Sequence, residues 1–124
     1  MSKFRVATLG LFAAVVVFAW AVVPAFAHSG RATSTITVLA GKPSPFSFSL
    51  SLKSIKHGSV TFLVKNVGTG LQHDFQINGK KTPLISSGKS ATLTVTFAKA
   101  GSYPYSCTVP GHAAAGMKGT LKVT

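Results

Sequence analysis

Apolar and polar residues alternate with a period of two through most of the chain beyond residue 34, the spacing of strands that bury one face and wet the other. In PFSFSLSLK, residues 45–53, Phe46, Phe48, Leu50 and Leu52 alternate with Ser47, Ser49 and Ser51. In SVTFLVKN, residues 59–66, Val60, Phe62 and Val64 share a face, and in SATLTVTF, residues 90–97, Leu93, Val95 and Phe97 oppose Thr92, Thr94 and Thr96. Shorter runs of the same character are TITV (35–38), HDFQI (73–77), YPYSC (103–107) and GTLKV (119–123). All are rich in β-branched or aromatic residues and none has a helical period. Turn-forming stretches separate them: GKPSP (41–45), KHG (56–58), NVGTG (66–70), NGKK (78–81), SSGK (86–89) and KAG (99–101). About seven to eight short strands with punctuation every ~8–12 residues predict an all-β fold, an antiparallel β-sandwich.

The first 27 residues break this pattern. Lys3 and Arg5 precede an apolar run from Val6 to Val23, and Ala25, Phe26 and Ala27 supply the small residues of a cleavage site, so residues 1–27 read as a secretory signal peptide. The rival reading is an uncleaved membrane anchor, because the run is close to the ~20 residues that span a bilayer; Pro24 and the Ala-x-Ala pattern favour cleavage. The mature chain, residues 28–124, would begin at His28 and form one domain in the periplasm or outside the cell. It holds a single cysteine, Cys107, so no internal disulfide can reinforce a modest core. An exported lone thiol is a liability unless something occupies it.

Strand phase locates that thiol. His73 shares phase with Phe75 and Ile77 and begins its strand; Cys107 shares phase with Tyr103 and Tyr105 and ends its own. Both are inward-facing groups at strand ends. If these ends share one pole of the sandwich, the following loop, with His112 and Met117, closes over them. Each residue alone has a plainer reading: an inward histidine is usually a hydrogen-bonded core residue, and a loop methionine is usually packing. Jointly, Cys-x4-His-x4-Met after a YPY strand, with an inward histidine upstream, is a soft ligand set of the kind that suits copper in electron transfer. Four protein donors leave no position for a substrate, which argues against an enzyme.

The stretch YSCTVPGHAAAGMKGTLKV, with HDF upstream, resembles the copper loop of the cupredoxins, the small blue copper proteins. The resemblance covers the chain from TITV to its end and implies a Greek-key β-sandwich holding one type 1 copper ion. It implies His73, Cys107 and His112 as equatorial ligands and Met117 as the axial one. The ligand spacing is closer to the auracyanin and rusticyanin type than to plastocyanin or azurin. Many members carry Asn after the first histidine; here it is Asp74, the one acidic residue in the chain. Its carboxylate is placed either to accept hydrogen bonds from the N–H or hydroxyl of Thr108, stiffening the site from behind, or to face away into water.

The remaining histidines do not add a second metal site. His57 lies in a solvated turn, and nothing near His28 supplies a partner for copper. The chain carries a net charge of +12, and removing Lys3 and Arg5 with the leader leaves about +10. The lysines are dispersed without interleaved aromatics, which argues against nucleic acid. The charge serves solubility and would steer the protein toward an acidic redox partner or an anionic membrane surface. Pro110, Gly111, Ala113, Ala114, Ala115 and Gly116 would frame His112 with small groups, with Lys118 at the rim, a surface suited to brief contact. The expectation is a monomeric, mobile one-electron carrier, free of the membrane once cleaved. The alternative is a copper-binding protein of copper homeostasis or storage.

Overall fold

Nine strands form between Ser34 and Val123 in a computed structural model, which describes residues 33–124 together with Gly10 and Ala14. Apart from those two positions, the signal segment 1–27 lies outside the described residues, as does His28. Among the described residues no helix is long and apolar enough to cross a membrane.

One sheet contains β1 (Ser34–Ala40), β2 (Phe48–Leu50), β4 (Gly58–Asn66) and β7 (Ser90–Phe97), in the order β2-β1-β4-β7. The other contains β3 (Ser54–Ile55), β5 (Gln76–Ile77), β6 (Lys80–Lys81), β8 (Gly101–Ser106) and β9 (Lys118–Val123), in the order β3-β9-β8-β5-β6. The inner faces meet through the residues that the alternation assigns inward: Ile36, Val38, Val60, Phe62, Val64, Val95 and Phe97 from the first sheet, and Ile55, Ile77, Leu121 and Val123 from the second. Phe75 enters between them, its ring 5.2 Å from Phe62 and 5.3 Å from Phe48. Burying Phe62 or Phe75, each 0% exposed, contributes about 1.5–3 kcal/mol, so this aromatic layer helps hold the sheets together.

The sandwich is mixed rather than wholly antiparallel. β1 runs parallel to β4, from Ser34 opposite Val60 to Ala40 opposite Asn66, and β3 runs parallel to β9. Alternation reports which side chains point inward and carries no information on strand direction. Two runs are also shorter than their patterns. The PFSFSLSLK strand is confined to Phe48–Leu50, because the Ser51 hydroxyl accepts the Thr37 N–H at 2.9 Å where the Ser51 carbonyl would continue the ladder; the chain turns away and leaves Leu52 exposed. The HDFQI strand is reduced to Gln76–Ile77 plus a single bridge between His73 and Ile85. In between, Thr82 stands in for a partner strand: its hydroxyl accepts the Phe75 N–H at 3.0 Å and its own N–H donates to the Phe75 carbonyl at 3.0 Å.

Candidate metal centre

His73 is fixed by its backbone. Its N–H donates to the Ile85 carbonyl at 3.1 Å, and the Ile85 N–H returns to the His73 carbonyl at 2.7 Å. Behind this bridge lies Asn66, 1% exposed. Its Nδ2 donates to the carbonyls of Leu71, at 2.7 Å, and Ile85, at 2.8 Å, while its Oδ1 accepts the Gly68 N–H at 3.1 Å. Asn66 thus ties the loop before His73 to the strand end where the first sheet stops. In the sequence Asn66 closes the SVTFLVKN strand and opens the NVGTG turn, and a polar residue at that junction is the one signal of its role.

Cys107 leaves β8 at the same pole. The Cys107 N–H donates to the Met117 carbonyl at 3.0 Å, the Met117 N–H to the His112 carbonyl at 3.0 Å, and the His112 N–H to the Val109 carbonyl at 3.1 Å. These bonds fold the loop back on itself and return the chain into β9. Cys107 and Met117, 1% and 0% exposed, pack with Ala40 in a small apolar cluster flanked by Phe46, Phe48 and Val109.

The loop brings His112 onto His73. Their Nδ1 atoms are 3.2 Å apart, and Cys107 Sγ lies 3.6 Å from His112 Nδ1. The donor atoms of His73, Cys107 and His112 all lie within 4.8 Å of one another, and all three residues are buried. Atoms that bind one shared ion at about 2.0–2.3 Å stand roughly 3–4 Å apart, so the spacing fits a single metal ion held by two imidazoles and a thiolate. Coordination through Nδ1 leaves the ring proton on Nε2, and His73 Nε2 is buried without a hydrogen-bond partner. That nitrogen faces a close contact between Gly41 and Gly68, where a Cβ on Gly41 would come within 2.8 Å of the Gly68 Cα; a side chain there would push the loop onto the ring.

Burial disfavours charge on these groups in the metal-free protein. Burial, then the neighbouring His112 ring, holds His73 below the ordinary imidazole value, with Asp74 opposing. Burial pushes the Cys107 thiol up; backbone hydrogen bonds from Asp74 and Val109 pull it down, while the Asp74 carboxylate adds to the rise. The pole therefore keeps a neutral imidazole and a protonated thiol until a cation displaces the thiol proton.

Of the two orientations open to Asp74, the inward one is found. Asp74 is 2% exposed; its Oδ1 accepts the Thr108 N–H at 2.6 Å and its Oδ2 accepts the Thr108 hydroxyl. A residue next to His73 is thereby bonded to a residue next to Cys107. Above the site, the Phe46 ring meets the His112 ring edge-on at 5.0 Å. Pro110, Gly111, Ala114, Ala115 and Gly116 are exposed around His112, with Ala113 half-buried and Lys118 exposed. His57 is exposed, as expected for its turn, with Nδ1 3.1 Å from the Thr124 carbonyl.

Known proteins agree with this geometry. A 43-residue stretch is 49% identical to auracyanin-B of Chloroflexus aurantiacus, covering 35% of this chain and 18% of that protein. A 56-residue stretch is 43% identical to the copper-resistant cuproprotein CopI of Pseudomonas aeruginosa, covering 45% of this chain and 29% of that one. The matches thus span less than a third of either relative. A solved structure of auracyanin B superposes with a TM-score of 0.66 at 27% identity, over 73% of this chain and 88% of that one. Rusticyanin from Thiobacillus ferrooxidans superposes with a TM-score of 0.58 at 29% identity, over 74% and 77%. Residues 31–124 match the copper binding proteins of the plastocyanin/azurin family, and the chain, with His73, Cys107 and His112 placed to hold one ion, belongs to that family.

Proposed function

We propose that this protein is an exported one-electron carrier whose copper is held by His73, Cys107 and His112, with Met117 as a weak axial ligand. The observation that carries the reading is the convergence of two imidazole nitrogens and a thiol within 4.8 Å in a buried pole. Bound there, copper supplies a reversible one-electron couple between Cu(II) and Cu(I). The chain supplies rigidity and exclusion. His73 is locked by Ile85, the loop is locked by Cys107, His112 and Met117 backbone bonds, and the Asp74–Thr108 link joins the two segments, so the donors need not rearrange between states. Met117 is fully buried beside Cys107, which leaves little room for water or substrate and favours a carrier over an enzyme. His112 retains 8% exposure, the most of the four, and its surround of small residues lets a partner approach its ring.

The partner would be acidic. Ten lysines among the described residues are all exposed, whereas the single acid is buried. Such a surface attracts an acidic redox protein at rates that fall with salt. In this reading residues 1–27 direct export and are removed, and residues 28–124 act as a monomer.

A second reading, copper homeostasis, is favoured by the 43% identity to a copper-resistant cuproprotein. It calls for an exchangeable site, which the burial of the donors opposes. One preparation distinguishes the two. The copper-loaded mature protein should be intensely blue or green, bleach reversibly on reduction and release copper slowly to a chelator. A colourless one-to-one complex overturns the electron-carrier reading, and rapid copper loss from a coloured one favours homeostasis.

A further inference from the structure

Asp74 has a second neighbour besides Thr108. Lys81 Nζ stands 3.9 Å from Asp74 Oδ2 and 3.5 Å from Thr108 Oγ1, and the lysine side chain is 52% exposed. One solvent-facing ammonium therefore touches the hydrogen-bonded bridge between the residue after His73 and the residue after Cys107. Lys81 also lines a cleft of about 600 Å³ whose walls include Leu84, Thr108, Pro110 and His112. Leu84 is 57% exposed, one of the few large apolar side chains on the described surface.

We propose that this cleft receives a carboxylate side chain of an acidic protein partner, bound by Lys81, and that its arrival is coupled through Asp74 and Thr108 to the redox state of the pole. The redox half rests on the electron-carrier reading; the binding half does not.

Charge complementarity selects the occupant. Lys81 spends one N–H on a long bond to Thr108 Oγ1 and, at 3.9 Å from Asp74, is beyond the ~2.7–2.9 Å of a close charge-assisted hydrogen bond, so its other two donors are free for a second carboxylate. Asp74 has committed both oxygens to Thr108 and does not need Lys81 for its hydrogen bonds. No acidic side chain of this chain competes from the surface, because Asp74 is the only one and it is buried. A partner carboxylate thus finds an ammonium beside an apolar rim of Leu84 and Pro110, next to the His112 ring.

The sign of the coupling follows from charge. A carboxylate arriving at Lys81 adds negative charge near the ligands and draws the ammonium from Asp74, and both changes favour the more positive oxidised state. Docking therefore lowers the potential, and by reciprocity the oxidised protein binds the carboxylate more tightly than the reduced one.

A hexaglutamate peptide serves as the probe. Titrated into the metal-free, 15N-labelled protein at low salt, it should shift the backbone amides of Thr108 and Leu84. Lys81→Gln should weaken its binding about fivefold or more, whereas Lys122→Gln, an equal charge change at the opposite end of β9, should weaken it far less. In the copper-loaded protein the peptide should lower the potential; a tenfold preference for the oxidised form corresponds to about 59 mV. Lys81→Gln should remove most of that shift. Equal weakening by the two lysine variants, or an unmoved Thr108 amide, overturns the cleft as the site. Localised binding at Lys81 with an unchanged potential overturns the coupling. A copper complex without reversible redox behaviour would instead defeat the electron-carrier reading, and the peptide titration of the metal-free protein would still decide the docking site.

Discussion

His73 and His112 present their Nδ1 atoms to each other across 3.2 Å, although 39 residues separate them in sequence. Neither side arrives there by local preference. His73 is held by a two-residue bridge to Ile85, and His112 by a loop whose ends are Cys107 and Met117, bonded backbone to backbone. The donor geometry is thus fixed by backbone bonds of the fold, which in the electron-carrier reading would keep reorganisation small between the two copper states.

Three of the proposed ligands should fail differently when replaced. Cys107→Ser exchanges a soft thiolate for a hard hydroxyl of low acidity, and it should abolish the charge-transfer colour and fast electron exchange together. Met117→Gln should keep a coloured site at lower potential, since an amide oxygen favours Cu(II) more than a thioether does. His112→Gly should accept added imidazole, because His112, at 8%, is the most exposed of the four. Absorption spectra and voltammetry of the three variants provide the check. Colour retained in Cys107→Ser but lost in Met117→Gln would reverse the assignment of equatorial and axial roles.

The metal-free protein should be most stable between about pH 6.5 and 9. Below the ordinary imidazole value of 6.5, the unfolded chain takes up a proton that folded His73, held low by burial and by His112, refuses. Stability is then lost as pH falls. Above the ordinary thiol value of 9.0, the unfolded chain releases a proton that buried Cys107 retains, so stability is lost as pH rises. With only one acidic side chain, the usual source of acid unfolding is nearly absent, which leaves the histidine visible. Denaturant midpoints measured from pH 5 to 10 should trace this dome. Copper should raise the midpoint across the range, since it binds the folded pole in preference to the unfolded chain. A metal-free midpoint that stays level from pH 7 to 5 would contradict the His73 assignment.

What was legible in the sequence follows from what is local. Phe62, Val64, Val95 and Phe97 are buried as a period of two requires, because inward and outward positions are set within each strand. The convergence of His73, Cys107 and His112 was legible for the same reason: Cys107 and His112 lie in one loop, and His73 follows the phase of Phe75 and Ile77. Strand direction was not legible, since the parallel pairing of β1 with β4 depends on how the intervening chain crosses between sheets. The fate of Asp74 was equally open in one dimension; it is decided by Thr108, a residue 34 positions away. Leu52 continues an apolar alternation yet is exposed, because a single serine hydroxyl ends the ladder one residue earlier.

Asn66 gives the sharpest test of how the fold holds the site, because it touches no donor atom. Its side chain makes three hydrogen bonds, to the carbonyls of Leu71 and Ile85 and from the Gly68 N–H, and Ile85 in turn holds His73 at both backbone groups. Asn66→Ala deletes all three and leaves buried backbone groups with fewer partners, at a cost of about 2–4 kcal/mol. For a domain of this size that corresponds to a fall in melting temperature of roughly 10 °C or more. Asn66→Asp should be at least as damaging: it keeps an acceptor for Gly68 but loses both donors and buries a charge opposite two carbonyls. In both variants copper affinity should drop along with stability, since the loop that positions His73 loses its anchor. Calorimetry of the metal-free proteins and competition with a copper chelator measure the two effects. An Asn66→Ala protein that melts and binds copper like the parent would mean that Ile85 positions His73 unaided.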